Sequence, residues 1–142
     1  MEAVGRQDTA ALLRERGLRV TAQRRVILEA FREDEGGHLT ADEVHTRASE
    51  PLPELARATV YNTLAEFVRA GLLRPIEGRG ATRYDANLDE GHHHFRCIRC
   101  DRLFDVHPVG VDALTVAEPG FRVERTQVLL EGVCSECDAV PA

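Results

Sequence analysis

Four cysteines stand as two Cys-x-x-Cys pairs, Cys97/Cys100 and Cys134/Cys137, and a separate set of imidazoles and carboxylates comprises His38, Asp85, His92, His94 and Asp105. Thiolates in paired knuckles are soft ligands at the spacing that closes a tetrahedral zinc site with no open position. Cys97, Cys100, Cys134 and Cys137 are therefore expected to hold a structural Zn(2+). The alternative is two disulfides, which need an oxidising compartment. Residues Met1 to Arg19 contain seven charges among short apolar pieces and lack the apolar core of a signal peptide. A reducing cytoplasm is the expectation, and zinc with it.

The second set mixes neutral imidazole with hard carboxylate oxygen, a combination suited to Fe(II), Mn(II), Ni(II) or Zn(II). Within His92-His93-His94, alternate residues of an extended segment point the same way, so His92 and His94 can bind one ion while His93 faces elsewhere. Asp85 and Asp105 flank that pair as further ligands. His38 lies far away in sequence and reads either as a ligand or as a loop histidine. His45 and His107 read as an ordinary helix position and a strand end.

The elements that must position these groups fall into two halves. Short amphipathic helices are expected from about Ala10 to Arg16, over Gln23 to Phe31 behind Thr21 as N-cap, and from the capping box Thr40-Ala-Asp-Glu43 to about Ser49. A fourth helix, about Arg57 to Ala70, carries the apolar stripe Val60, Leu64, Phe67 and Val68, which leaves Thr59, Asn62, Thr63, Glu66 and Arg69 outward. Gly71 ends it, and Leu72 to Ile76 with Ala81 to Asp85 reads as a hairpin. Helices followed by a hairpin make a winged helix-turn-helix, a geometry for docking on DNA. Asn62 near the start of the fourth helix can bond adenine. Thr59, Tyr61 and Thr63 offer hydroxyls to phosphate, Arg24, Arg25 and Arg57 are phosphate clamps, and Arg79 at the hairpin tip suits the minor groove.

After residue 91 the pattern changes to strands at Phe95 to Ile98, Leu103 to Val106 and Phe121 to Leu130, with a short helix around Val111 to Ala117. The reading is an α+β chain. Residues 1–85 form a winged-helix DNA-binding domain, 86–91 a hinge, and 92–142 a small α/β dimerisation and metal-binding domain with the four-cysteine zinc site. A domain of that size lacks the core to stand alone, so pairing with a second copy to give a homodimer is expected. No apolar run approaches a membrane span. Residues 1 to 80 hold 12 Arg against 13 acids and residues 81 to 142 hold 6 Arg against 11, so the net charge of −6 sits mostly in the second half. An acidic balance disfavours general polyanion binding but not a local arginine cluster.

Arg19-Val-Thr-Ala-Gln-Arg24, Thr40-Ala-Asp-Glu43, Ala58-Thr-Val-Tyr-Asn-Thr-Leu64, the histidine run and both cysteine pairs resemble, in order and spacing, the signature of the bacterial Fur superfamily of metal-dependent repressors. The resemblance covers nearly the whole chain and is strongest to the peroxide-sensing PerR branch. It implies a regulatory Fe(2+) or Mn(2+) held by His38, Asp85, His92, His94 and Asp105, a double-stranded DNA operator as partner, and peroxide oxidation of His38 and His92 that releases the DNA. Asp105 stands where iron sensors of the Fur type usually have Glu, and Asn62 where they often have Arg. An additional metal site found in some relatives lacks a histidine here, since Glu124-Arg-Thr-Gln127 offers none, which leaves His93 with Asp112 incomplete. The segment from Pro108 to Pro119 looks short, so its helix is expected to be reduced, and Gly91 looks inserted. The rival readings are a regulator answering iron, manganese, nickel or zinc availability without redox chemistry and, from another class, a metallohydrolase, which has no evident general base.

Overall fold

A computed structural model describes residues 8–34, 37–78, 80–86 and 92–139, and its first three helices begin where the sequence supplies a capping side chain. Asp8 accepts from the amides of Ala10 and Ala11 to open α1 (Thr9–Glu15), and Thr21 accepts from Arg24 N–H to open α2 (Ala22–Glu33). At α3 (Ala41–Ala48) Thr40 and Glu43 cap each other's backbone amides reciprocally. Each cap satisfies donors that a helix start leaves orphaned.

The fourth helix, α4 (Arg57–Arg69), has no side-chain cap and depends on its buried face of Val60, Thr63, Leu64 and Phe67. This corrects one expectation. Thr63 does not point outward with Asn62 but is 5% exposed, because a residue three after Val60 and four before Phe67 falls on the same stripe. Its methyl group suits that position. Gly71 follows in the left-handed region at φ 80°, and Arg16 donates through Nη1 to the carbonyls of Ala70 and Gly71. A Cβ on Gly71 would lie 2.8 Å from that nitrogen, so glycine serves both the turn and the contact.

The chain divides into two compact units, residues 1–88 and 89–142. In the first, Leu13, Ile27, Leu28, Phe31, Leu39, Val44, Val60, Leu64 and Phe67 build one core with Leu72 and Leu73. A three-stranded antiparallel sheet completes this winged helix: β2 (Arg74–Ile76) and β3 (Arg83–Asp85) form the expected hairpin, and β1 (His38–Thr40) pairs with the far side of β3. His38 is therefore a strand residue, not a loop residue.

In the second unit, β4 (His93–Cys97) is central, antiparallel to β5 (Leu103–Val106) and parallel to β6 (Leu129–Gly132). Two expectations shrink here. The helix around Val111 to Ala117 is only a 3-10 turn, Val111–Ala113, none of whose residues is buried, so no packing rewards a longer helix. The strand expected from Phe121 begins only at Leu129. Gly132 passes so close to Phe95 that a Cβ would meet the ring at 3.1 Å. A short helix, α5 (Ser135–Asp138), follows Cys134. Among the described residues no helix is long and apolar enough to cross a membrane.

Candidate metal centres

The end of β4, the turn after it and the start of α5 bring Cys97, Cys100, Cys134 and Cys137 together, with all four sulfurs within 4.8 Å of one another. The four carry free thiols, not disulfides. Zinc–sulfur bonds of about 2.3 Å place neighbouring sulfurs about 3.8 Å apart in a tetrahedron, and Cys100 and Cys134 stand at 3.9 Å. The donors fit zinc. The amides of Cys100 and Cys134 each donate to the Cys97 sulfur at 3.4 Å, and these donors draw its pKa from 9.0 down to about 6. Burial, followed by hydrogen bonds with the neighbouring thiols, pushes Cys137 up to about 12. One sulfur is thus ready as a thiolate, while another gives up its proton only to a metal.

Around this cluster the chain builds a charged frame. Arg96 bonds Glu131 of β6 at 3.0 Å and Asp101, which holds the turn after Cys100 at φ 63°. Arg102 pairs with Glu136 of α5 at 2.9 Å, and Arg99 donates to the Cys137 carbonyl. None of these residues stood out in the sequence. The available signal was charge complementarity, arginines around the first knuckle facing acids around the second.

The imidazoles and carboxylates form matching pairs within each unit. His38 on β1 lies directly opposite Asp85 on β3, with Nε2 3.5 Å from Oδ1. His94 on β4 lies directly opposite Asp105 on β5, with the same atoms 3.6 Å apart, and His92 Nε2 is 3.8 Å from that carboxylate oxygen. The His92 and His94 rings meet edge to face with centroids 5.0 Å apart. Such separations exceed a hydrogen bond but match two donors sharing an ion through bonds of about 2.1 Å at open angles. His38, Asp85, His92 and His94 are buried. Asp105 is exposed, its side chain to 27%, which leaves that side of its pair accessible. His45 is no ligand here, since its Nε2–H donates to the Leu55 carbonyl.

The sequence profile of the Ferric uptake regulator family matches residues 15–131. The chain belongs to the ferric uptake regulator family. It is 33% identical over 135 residues to the peroxide operon regulator of Bacillus subtilis, covering 92% of each chain. It is 32% identical over 133 residues to the ferric uptake regulation protein of Neisseria gonorrhoeae, covering 91% of this chain and 92% of the other. Among solved structures, the ferric uptake regulator of Francisella tularensis with iron superposes with a TM-score of 0.73 at 26% identity, covering 86% of this chain and 96% of that one. As a ferric uptake regulator family member the chain is a metal-responsive transcriptional regulator that binds DNA operators as a dimer, and it is not an enzyme.

For such a regulator, α4 and its surroundings are the surface of interest. Asn62 and Tyr61 are exposed, Thr59 is half-buried, and Thr63 faces the core. Two of the candidate arginines are engaged, Arg24 with Glu66 at 3.1 Å and Arg57 with Asp42 at 2.5 Å, and Arg83 of β3 pairs with Glu43 at 3.2 Å. Arg79 lies outside the described residues, as do positions 87–91 of the expected hinge.

Proposed function

We propose that this chain is a cytoplasmic repressor that answers peroxide through one Fe(II) ion held jointly by His38 and Asp85 of the first unit and His92, His94 and Asp105 of the second, a set that also accepts Mn(II) as a redox-silent occupant. The observation that supports it is the recurrence, in both units, of a histidine set directly across an antiparallel pair from an aspartate. Residues 1–85 serve as the DNA-reading lobe, 86–91 as the hinge and 92–142 as the dimerising lobe, its four cysteines holding Zn(2+). Asn62, Tyr61 and Thr59 reach the operator from α4, with Arg24, Arg57 and Arg79 on phosphate. Exposed Phe121, Val109 and Leu114 offer the apolar surface that a second copy covers.

An ion gripped from both units fixes their mutual orientation, so part of its binding energy emerges as DNA affinity, a coupling of roughly 1–3 kcal/mol. Iron, when bound, supplies the electrons that split peroxide beside the ligand imidazoles. With Fe(II) held there, each peroxide consumed would add one of its oxygens to the ring of His38 or His92 and leave the other as water, and a ring so oxidised would be a poorer ligand, so that the ion and then the operator would be released. Mass spectrometry of Fe(II)-loaded protein after peroxide tests this. Added oxygen on the peptides bearing His38 and His92 is expected, and unmodified peptides would remove the redox reading.

A second reading is regulation by metal availability alone. The near-equal identity to a peroxide regulator and to a ferric uptake regulation protein favours it as much as the first. Under that reading a gel shift is lost on chelation yet unaffected by peroxide.

A further inference from the structure

His93 takes no part in the ligand set proposed above, although it sits between two of its members and is buried. As the first residue of β4 it faces away from His92 and His94 by the alternation of an extended chain. Its Nδ1 accepts the N–H of Val128 at 3.0 Å, so the neutral ring carries its proton on Nε2. The Val128 carbonyl in turn accepts the N–H of His94 at 3.1 Å. Two successive residues of β4 therefore grip one residue of the neighbouring segment through both its amide N–H and its carbonyl.

The place of this grip matters. Residues 121–128 form no strand, and the parallel β4–β6 pairing starts at His94 opposite Leu129. The ring thus satisfies an amide immediately ahead of the ladder, at the end of β4 where His92 and His94 project. Strand ends fray first, and a side-chain bond there holds backbone direction where the ladder has not yet begun.

We propose that His93 is a positioning residue for the regulatory ion: by holding Val128 on the opposite face, it keeps the start of β4 in the direction that aims His92 and His94 at Asp105. This rests on the ligand set proposed above. A Nδ1 lone pair committed to an amide is closed to a cation, so His93 acts through its neighbours and not as a ligand.

The test uses the full-length, zinc-loaded protein with His93→Leu, which fills the space without an acceptor, and His93→Asn, whose Oδ1 falls near the position of Nδ1. Exchange of the Val128 amide with deuterium and affinity for Mn(II) are measured, with zinc content as the check on folding. His93→Leu is expected to speed exchange at Val128 and to weaken Mn(II) binding about tenfold, the scale of outer-shell changes at metal sites. His93→Asn is expected to recover both. Wild-type Mn(II) affinity in His93→Leu, or failure of His93→Asn to recover it, overturns the proposal. Should His93→Leu lose its zinc, His93→Asn is compared with His93→Gln, whose carbonyl sits one methylene farther out, and equal behaviour overturns it. Wild-type Mn(II) binding that is indifferent to His94→Ala marks failure of the ligand set itself, and His93 falls with it.

Discussion

His38 and Asp85 face each other across the β1–β3 pair, 3.5 Å from imidazole nitrogen to carboxylate oxygen, with side chains only 5% and 0% exposed. A carboxylate that far from water is stabilised by compensating charge, and a divalent ion shared with the His38 ring would add it. Asp85→Asn keeps the shape but withdraws the charge. Mn(II) affinity, followed by the EPR signal of free manganese, should fall at least about tenfold, with zinc content unchanged.

Acid should act on the other centre through Cys97. A thiol whose folded pKa is depressed contributes stability that is complete above its ordinary 9.0 and is lost as pH falls through about 6. Cys137, displaced upward to about 12, contributes below 9.0 and loses that contribution as pH rises. Zinc binds every sulfur as thiolate, so it displaces no proton from Cys97 above about pH 6 and one more below it. A plot of log zinc affinity against pH, obtained by chelator competition, should steepen by about one unit of slope below that point.

On α4, neighbouring positions should behave as opposites. Asn62→Ala is expected to cost about 1–3 kcal/mol of discrimination between operator and mismatched duplex. Thr63→Val should leave discrimination intact, because Thr63 faces the core. Fluorescence anisotropy with both duplexes separates the two.

The core beneath that helix sets the stability of the first unit. Phe67 is 0% exposed, and Phe67→Ala should cost about 3–5 kcal/mol in urea denaturation. Thr40→Ala, which removes one half of the capping box, should cost about 1 kcal/mol in the same assay.

Caps and stripes were readable because they are local: Thr21, Thr40 and Glu43 bond within three residues of themselves, and Val60, Leu64 and Phe67 repeat at helical spacing. The cysteine cluster was readable because its ligand types and intervals are narrow. What escaped was non-local. Three residues are too few for β1 to show alternation, so the strand that sets His38 opposite Asp85 left no pattern. Thr63 escaped because hydroxyl chemistry suggested solvent while its position on the stripe dictated the core. The helix expected after Val111 had suitable residues but no surface to bury them against.

Strand β4 carries His94 on one face and, three residues later, Cys97 on the other. Odd separation is what keeps the sulfur and the imidazole on opposite sides. Inserting a single residue between Phe95 and Cys97 would flip the imidazoles relative to the knuckle and aim His93 and Phe95 where His92 and His94 now point. The four-cysteine cluster is therefore a ratchet stop for the histidines: mutations that shift the chain there are expected to be tolerated only in steps of two.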